Sequence, residues 1–564
     1  MSHYPSSQFA FPLFAHQALS MENPSYLQLV GALVAIGIAS ATWRLIRVRR
    51  FYKDLPKPPH SFLWGHLKLL GEISALFPPQ TYYQAFYTEI AKRYDMPDVW
   101  YLDLWPLGPS LMMLGGPEAA MEITVVRSYP AHSFTDYYLT VFFGPNVITA
   151  LNGAAWKNMH HMIGPSFAPM AVKGQVDTII EHIDTYHEKL RALAATGEEF
   201  SMSDLTGAAI FDVVSSIIFG FSLFAQQQGS EFLQDFKLIF NLAHPFTMTL
   251  NPFKKLNLWW RMRAAKKRSD KLIYDKIQER HAALFGEEKF LQEEKRAKLC
   301  IMDRMIVQRI EELGPKVRDG LDPEYVKLVA PNLKAILAGG QGTTADTLCY
   351  ALLLLSLHPE AMSRLREEHD GVFSPSYSET IQLLKSKPSK TSELEYTTAV
   401  IKETLRLFPI GFTFRQAPED VTHLKTPSGS YPVRNQTICS SPQLTHFSPL
   451  HFPSPLVFLP DRFLPDYEPK HHRFAWRPFE RGPRSCLGRE LAMDEMVITL
   501  LLTARWFDFD LAVDRASLPK TPKVKHTDWD TKIGDLAFQI AGLSAGPRFG
   551  MPMRVRLTDR GKRQ

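Results

Sequence analysis

No C-x-x-C pair occurs anywhere in this chain, and only four of its 564 residues are cysteine. Cys300, Cys349, Cys439 and Cys486 stand far apart, which removes the ligand spacing of a zinc ribbon, an iron–sulfur cluster and a c-type haem attachment. So few thiols in so long a chain also exclude a disulfide scaffold. Charge of one sign is scarce: 64 Lys and Arg against 58 Asp and Glu leave a net +6, too little to imply a nucleic-acid partner. There is no internal repeat, no low-complexity tract and no G-x-G-x-x-G run. Nothing therefore announces a solenoid or a dinucleotide fold. Any metal bound through sulfur has a single thiolate to use.

What the chain does have is apolar mass, 45% of its residues, enough for a large folded core. Part of it is concentrated in "YLQLVGALVAIGIASATW", Tyr26 to Trp43, which carries no charge and approaches the ~20 residues that span a hydrocarbon layer. Tyr26 and Trp43 stand at its ends like an aromatic belt, and Arg44, Arg47, Arg49 and Arg50 follow at once. By the positive-inside bias the rest of the chain stays on the cytosolic side. A cleaved signal would carry its positive charge before the apolar run. The expected organisation is a lumenal segment over 1–25, a single-pass anchor over 26–43, a basic and proline-rich hinge over 44–60, and one catalytic body over 61–564. Pro56, Pro58 and Pro59 make the hinge semi-rigid.

Helical spacing dominates that body. "VDTIIEHIDTYHEKLRAL", "KLIYDKIQERHAALF", "DRMIVQRIEEL" and "LKAILAGGQGTTADTLCYALLLLSL" repeat apolar residues at three and four. "DVWYLDLW", "SLMMLG", "GSYPVR" and "FGMPMRVRL" read as short strands. The fold class is mainly α with small β-sheets. "NPFKKLNLWWRMRAAKKR" interleaves Trp259 and Trp260 with seven basic residues, as a helix edge resting on anionic membrane lipid would. A plain solvated basic face is the competing reading.

The remaining signal is "PFERGPRSCLG", Pro478 to Gly488. A thiolate binds metal, and lowering a thiol's pKa needs positive charge, a metal or a helix N-terminus. Here Gly482 and Gly488 permit a tight loop, arginines crowd the sulfur, and the helical run "RELAMDEMVITLLL" begins just after it. Taken alone, Cys486 reads first as a buried inert thiol, a nucleophile awaiting a histidine being the other option.

Phe479, Gly482, Arg484, Cys486 and Gly488 match F-x-x-G-x-R-x-C-x-G, and Ala492 and Glu495 extend the pattern into the next helix. This resembles the haem-binding loop of the cytochrome P450 family. The resemblance implies haem b with Cys486 as axial thiolate, Arg484 on a haem propionate and Phe479 beside the sulfur. "IKETLRLFP" and "FLPDRF" supply Glu403, Arg406 and Arg462 in the family's order, implying its structural triad behind the haem. Arg415 falls where the family contacts a propionate. "LAGGQGTTADT" is similar to the family's helix over the haem, with Thr343 and Thr344 beside a groove for dioxygen. The glycines and threonines there are poor helix formers, so a break in the helix is expected.

Two positions depart from the family. The acid usually found before Thr343 is Gly342, so Asp346 one turn later, a substrate hydroxyl or a water chain has to carry the proton. The arginine of W-x-x-x-R is replaced after Trp156 by His160, which still donates a hydrogen bond.

The resemblance implies a monooxygenase in the endoplasmic reticulum membrane, its catalytic body cytosolic. It would oxidise a small apolar substrate with dioxygen and electrons from NADPH–cytochrome P450 reductase. "AWRPFERGPRSCLG" and "LTHFSPLHF" are most similar to filamentous-fungal members that make secondary metabolites. Arg477, Arg481 and Arg489 suggest a basic face for an acidic partner. The substrate pocket is expected among Ser133–Phe143, Ala338, Gly339 and Pro409–Phe414. The other readings are an enzyme that rearranges or dehydrates an oxidised substrate, a fatty-acid hydroxylase, and a haem-binding sensor without turnover.

Overall fold

Asp322 starts the longest helix among the described residues by accepting a hydrogen bond from the Tyr325 N–H, 2.9 Å away. Pro323 occupies the first turn, where a missing N–H costs nothing, and the helix runs to Leu357, just before Pro359. Its C-terminal half is apolar on every side and fully buried from Leu348 to Leu354, the signature of a helix inside a core rather than on a surface. Its main neighbour is the helix Met202–Phe219, capped by Ser201 and ended by Gly220 in the left-handed region. The two approach closely at Gly340, where an added Cβ would lie 3.0 Å from a Val214 methyl.

The computed structural model describes residues 26–563 apart from 228, 250, 286–298, 319, 513–522, 526 and 543. The chain forms two units, Met1–Asp54 and Leu55–Gln564. The expected lumenal segment over 1–25 lies outside the described residues. In the first unit one helix runs from Tyr26 to Phe51. It continues through the arginines expected to begin the hinge, because Arg, Leu and Ile all sustain a helix. Its span Gln28–Phe51 has a mean hydropathy of 1.8 and is long and apolar enough to cross a bilayer. Among the described residues Met202–Phe219 passes the same test, but it is mostly buried and belongs to the core.

The second unit is mainly helical. The aromatic–basic segment and "KLIYDKIQERHAALF" form one helix, Pro252–Leu284, where separate stretches were expected. Its first turns leave Phe253, Leu256, Trp259 and Trp260 exposed. A four-stranded sheet orders Val99–Asp103, Ser110–Leu114, Thr437–Ser440 and Thr413–Gln416, with the central pair parallel. A second sheet joins Phe200–Ser201, Pro552–Leu557 and Phe507–Leu511. A two-stranded hairpin, Ile540–Ala541 with Ala545–Gly546, contacts the long helix.

Candidate active site

Gly482 makes the cysteine loop possible. Its φ is +85°, and an added Cβ would stand 2.1 Å from the Thr124 carbonyl oxygen, so only glycine fits there. The Cys486 N–H then donates to the Phe479 carbonyl at 2.9 Å, and the helix Arg489–Thr503 follows. Cys486 is exposed, yet burial is the largest influence on its thiol. The sulfur is thus accessible yet surrounded by protein. The expectation that nearby charge lowers this pKa is corrected: burial pushes the free thiol up, and the Gly488 N–H and Arg489 offset it only in part.

The arginines of the loop also differ from expectation. Arg477 is 2% exposed and is pinned by Glu480, which in turn accepts from Thr413 and Ser440 hydroxyls at 3.2 and 2.9 Å. Arg481 is tied to the Arg473 and Trp476 carbonyls. Only Arg489 is exposed, so these three form no common basic face.

Two cations nearby lack a carboxylate partner among the described residues. Arg484 donates to the Leu151 carbonyl at 2.8 Å and to Asn152 Oδ1 at 2.9 Å, and lies 4.6 Å over the Trp156 ring. Burial, then repulsion from Arg415, lowers it to about 10. Arg415, held by the strand Thr413–Gln416, is 5% exposed; Nη1 reaches only the Tyr129 carbonyl at 3.4 Å and Nε has no partner. Two desolvated guanidiniums that repel one another form a receptor for a group with two negative charges, and the propionates of haem fit it. His160 sits 5.0 Å from Trp156, ring to ring. Burial and His161 lower its pKa, which keeps it neutral near pH 7.

The long helix is continuous, not broken as its glycines and threonines suggested. The Thr343 hydroxyl donates to the Gly339 carbonyl at 2.5 Å, and Thr347 does the same to Thr343 at 2.8 Å. Such back-bonds let a threonine stay helical. Gly339 is exposed on this face. Thr344 points the other way, buried, facing but not properly bonding the buried carboxyl of Glu495, which burial pushes up to about 8. Asp346 is buried too and accepts a hydrogen bond from the Ser544 hydroxyl.

Behind the loop, Glu403 receives Arg406 through two bonds of 2.7 and 2.8 Å and Arg462 through one of 3.2 Å. All three are at most 2% exposed. Both arginines spend their remaining donors on carbonyls between His446 and Val457. His446, which the sequence did not single out, joins this knot to the cysteine loop: Nε2 accepts the Arg477 N–H at 3.2 Å, so Nδ1–H donates to the Arg406 carbonyl at 3.1 Å. Burial keeps it neutral. Asn152 and Ser544 were likewise missed, since only tertiary contact distinguishes them from other polar residues.

The expected pocket segments do meet. Phe134 lies 6.0 Å from Phe414, and Phe412 contacts both Phe414 and Tyr82. Ala338 is buried on the long helix, which packs against Ser133–Phe143.

A family model described as Cytochrome P450 matches residues 56–528. Cytochrome P450 monooxygenase polC of Polytolypa hystricis is 27% identical, over 98% of this chain and 99% of its own. Cytochrome P450 monooxygenase ptmG of Penicillium ochrochloron is 28% identical, over 96% of this chain and 97% of its own. Among solved structures, the crystal structure of the cytochrome P450DA heme domain covers 89% of this chain and 97% of its own, with a TM-score of 0.67 and 20% identity. At that identity it is the fold that is shared.

Proposed function

Because this chain belongs to the cytochrome P450 family, whose members named above are monooxygenases, we propose that it hydroxylates or otherwise oxidises a small apolar substrate of secondary metabolism. Electrons come from a separate NADPH–cytochrome P450 reductase, and Gln28–Phe51 anchors the enzyme in the endoplasmic reticulum membrane with its catalytic unit in the cytosol. The family's cofactor is haem, and bound through a thiolate it supplies dioxygen activation.

The residues take the following parts. Cys486 provides the thiolate, Arg484 and Arg415 neutralise the propionates, and Trp156 and His160 line the same edge. Glu403, Arg406 and Arg462 hold the loop from behind. Thr343 presents its hydroxyl at Gly339, where a small diatomic molecule would sit. Phe134, Phe412 and Phe414 exclude water and give an apolar substrate its orientation.

One observation carries this reading: Arg484 and Arg415, desolvated, repelling one another and without a carboxylate partner among the described residues, lie beside the loop that leaves the Cys486 thiol accessible. The absorbance spectrum of the reduced, carbon-monoxide-bound protein tests it. A thiolate-type Soret band is expected from the wild type and is lost in Cys486→Ser. An unchanged pigment in that variant would refute the assignment.

A further inference from the structure

Gly342 leaves a space on the long helix that another part of the chain fills. A Cβ built on Gly342 would lie 3.2 Å from Ser544 Cβ and 3.6 Å from its Oγ. Ser544 belongs to the turn of the hairpin Ile540–Ala541/Ala545–Gly546, more than 190 residues away in sequence. From there its hydroxyl donates to Asp346 Oδ2, one helical turn beyond Gly342. The hairpin's second strand closes over the same carboxyl, since a Cβ on Gly546 would be 3.3 Å from Asp346 Oδ1. Asp346 is 8% exposed, and no cation pairs with it among the described residues.

We propose that Ser544 and Asp346 together are the proton-delivering pair of this enzyme, the hydroxyl standing where the family's acid would stand and the carboxyl behind it holding the proton. The proposal rests on the monooxygenase reading above. The two arrangements compete for the same space, because a side chain at position 342 would crowd Ser544, its Cβ 3.2 Å from the serine Cβ. Burial holds Asp346 at about 7, where an acid both keeps and surrenders a proton near neutrality. Its titratable neighbours Cys349 and Tyr350, on the same helix, are kept protonated by burial, and Arg548 acts on Tyr350 from the segment after the hairpin. The step moves no electrons. When Asp346 holds its proton the shared bond reverses: the carboxyl donates to Ser544 Oγ as Ser544 gives its own proton toward the helix face that carries Thr343, and the carboxylate then regains a proton from water. NADPH supplies the electrons that dioxygen consumes.

The haem-loaded protein with purified reductase and NADPH, without added substrate, tests the pair through the peroxide released per NADPH. Proton delivery carries dioxygen on to water, so Asp346→Asn and Ser544→Ala should each raise that ratio about threefold. Moving the acid should restore it: Gly342→Asp with Ser544→Gly, added to Asp346→Asn, should return the ratio toward wild type. An infrared carboxyl band titrating near pH 7 should be present in the wild type and absent in Asp346→Asn. Unchanged peroxide in both single variants, or no such band, overturns the relay alone. A wild type that takes up haem without a thiolate-type spectrum, or oxidises no NADPH, overturns the reading beneath it.

Discussion

Arg415 illustrates how a site is built against the stability of its own protein. An unpaired guanidinium at 5% exposure pays for desolvation without a counter-charge, and Arg484 and Arg477 repel it further. Glu480, already paired with Arg477, offsets this only in part. Arg415→Met should therefore stabilise the haem-free protein by about 1 kcal/mol while weakening haem retention. Thermal melts of the apoprotein, together with haem transfer to apomyoglobin, read the two signs separately; a destabilised apoprotein would contradict the argument. Glu403 is the opposite case. Its two arginines are matched by short bonds, so the buried charge is paired and the knot holds the loop in either state.

Among the elements described, Met202–Phe219 and Pro323–Leu357 form the most extensively packed helix pair. Glycine costs helical stability relative to alanine, about 1 kcal/mol, yet at Gly340 an alanine would meet the Val214 methyl at 3.0 Å. Both helices are packed into the core, and neither shifts freely. Gly340→Ala and Val214→Ala should consequently couple: the double variant should be more stable than the sum of the singles predicts, by about 1 kcal/mol. Denaturant unfolding of the four proteins measures this, and additivity would show that the helices slide apart without cost. The hairpin carrying Ser544 is the second such element. It is brief, two residues per strand, and no periodicity in its sequence distinguishes it from a loop.

For the molecule as a whole, buried titratable groups set the pH range of stability. Asp346 and Glu495 have folded pKa values raised to about 7 and about 8, so the native state keeps protons that the unfolded chain releases. Their contribution is full below their ordinary carboxyl pKa values and is lost as pH rises through about 7 and 8. His66 and His369 behave oppositely. Burial lowers them to about 4 and about 3, so their contribution is present above 6.5 and is lost as pH falls through those values. The two sets oppose each other below pH 6.5, and only the acids act above it. The melting temperature of the haem-loaded protein should fall between pH 6.5 and 8, each acid contributing up to about 1.4 kcal/mol per pH unit. Asp346→Asn should flatten that fall; an equal slope in the variant would show that the carboxyl is not held protonated.

Sequence alone determined what depends on residue type and local spacing. The uncharged run after Tyr26, the helical periodicity, the loop around Cys486 and the order Glu403, Arg406, Arg462 are written along the chain, because helix pitch and glycine's freedom act over a few residues. Tertiary structure decided what depends on neighbours distant in sequence. It kept the glycine-bearing helix continuous because the packed partner helix compensates weak propensity, and it removed Arg477 from the surface by pairing it with Glu480. It left Arg415 without an anion, aimed His446 at the cysteine loop and set Ser544 against Gly342. Burial and charge are sums over everything that surrounds a group, and a chain acquires those surroundings only by folding.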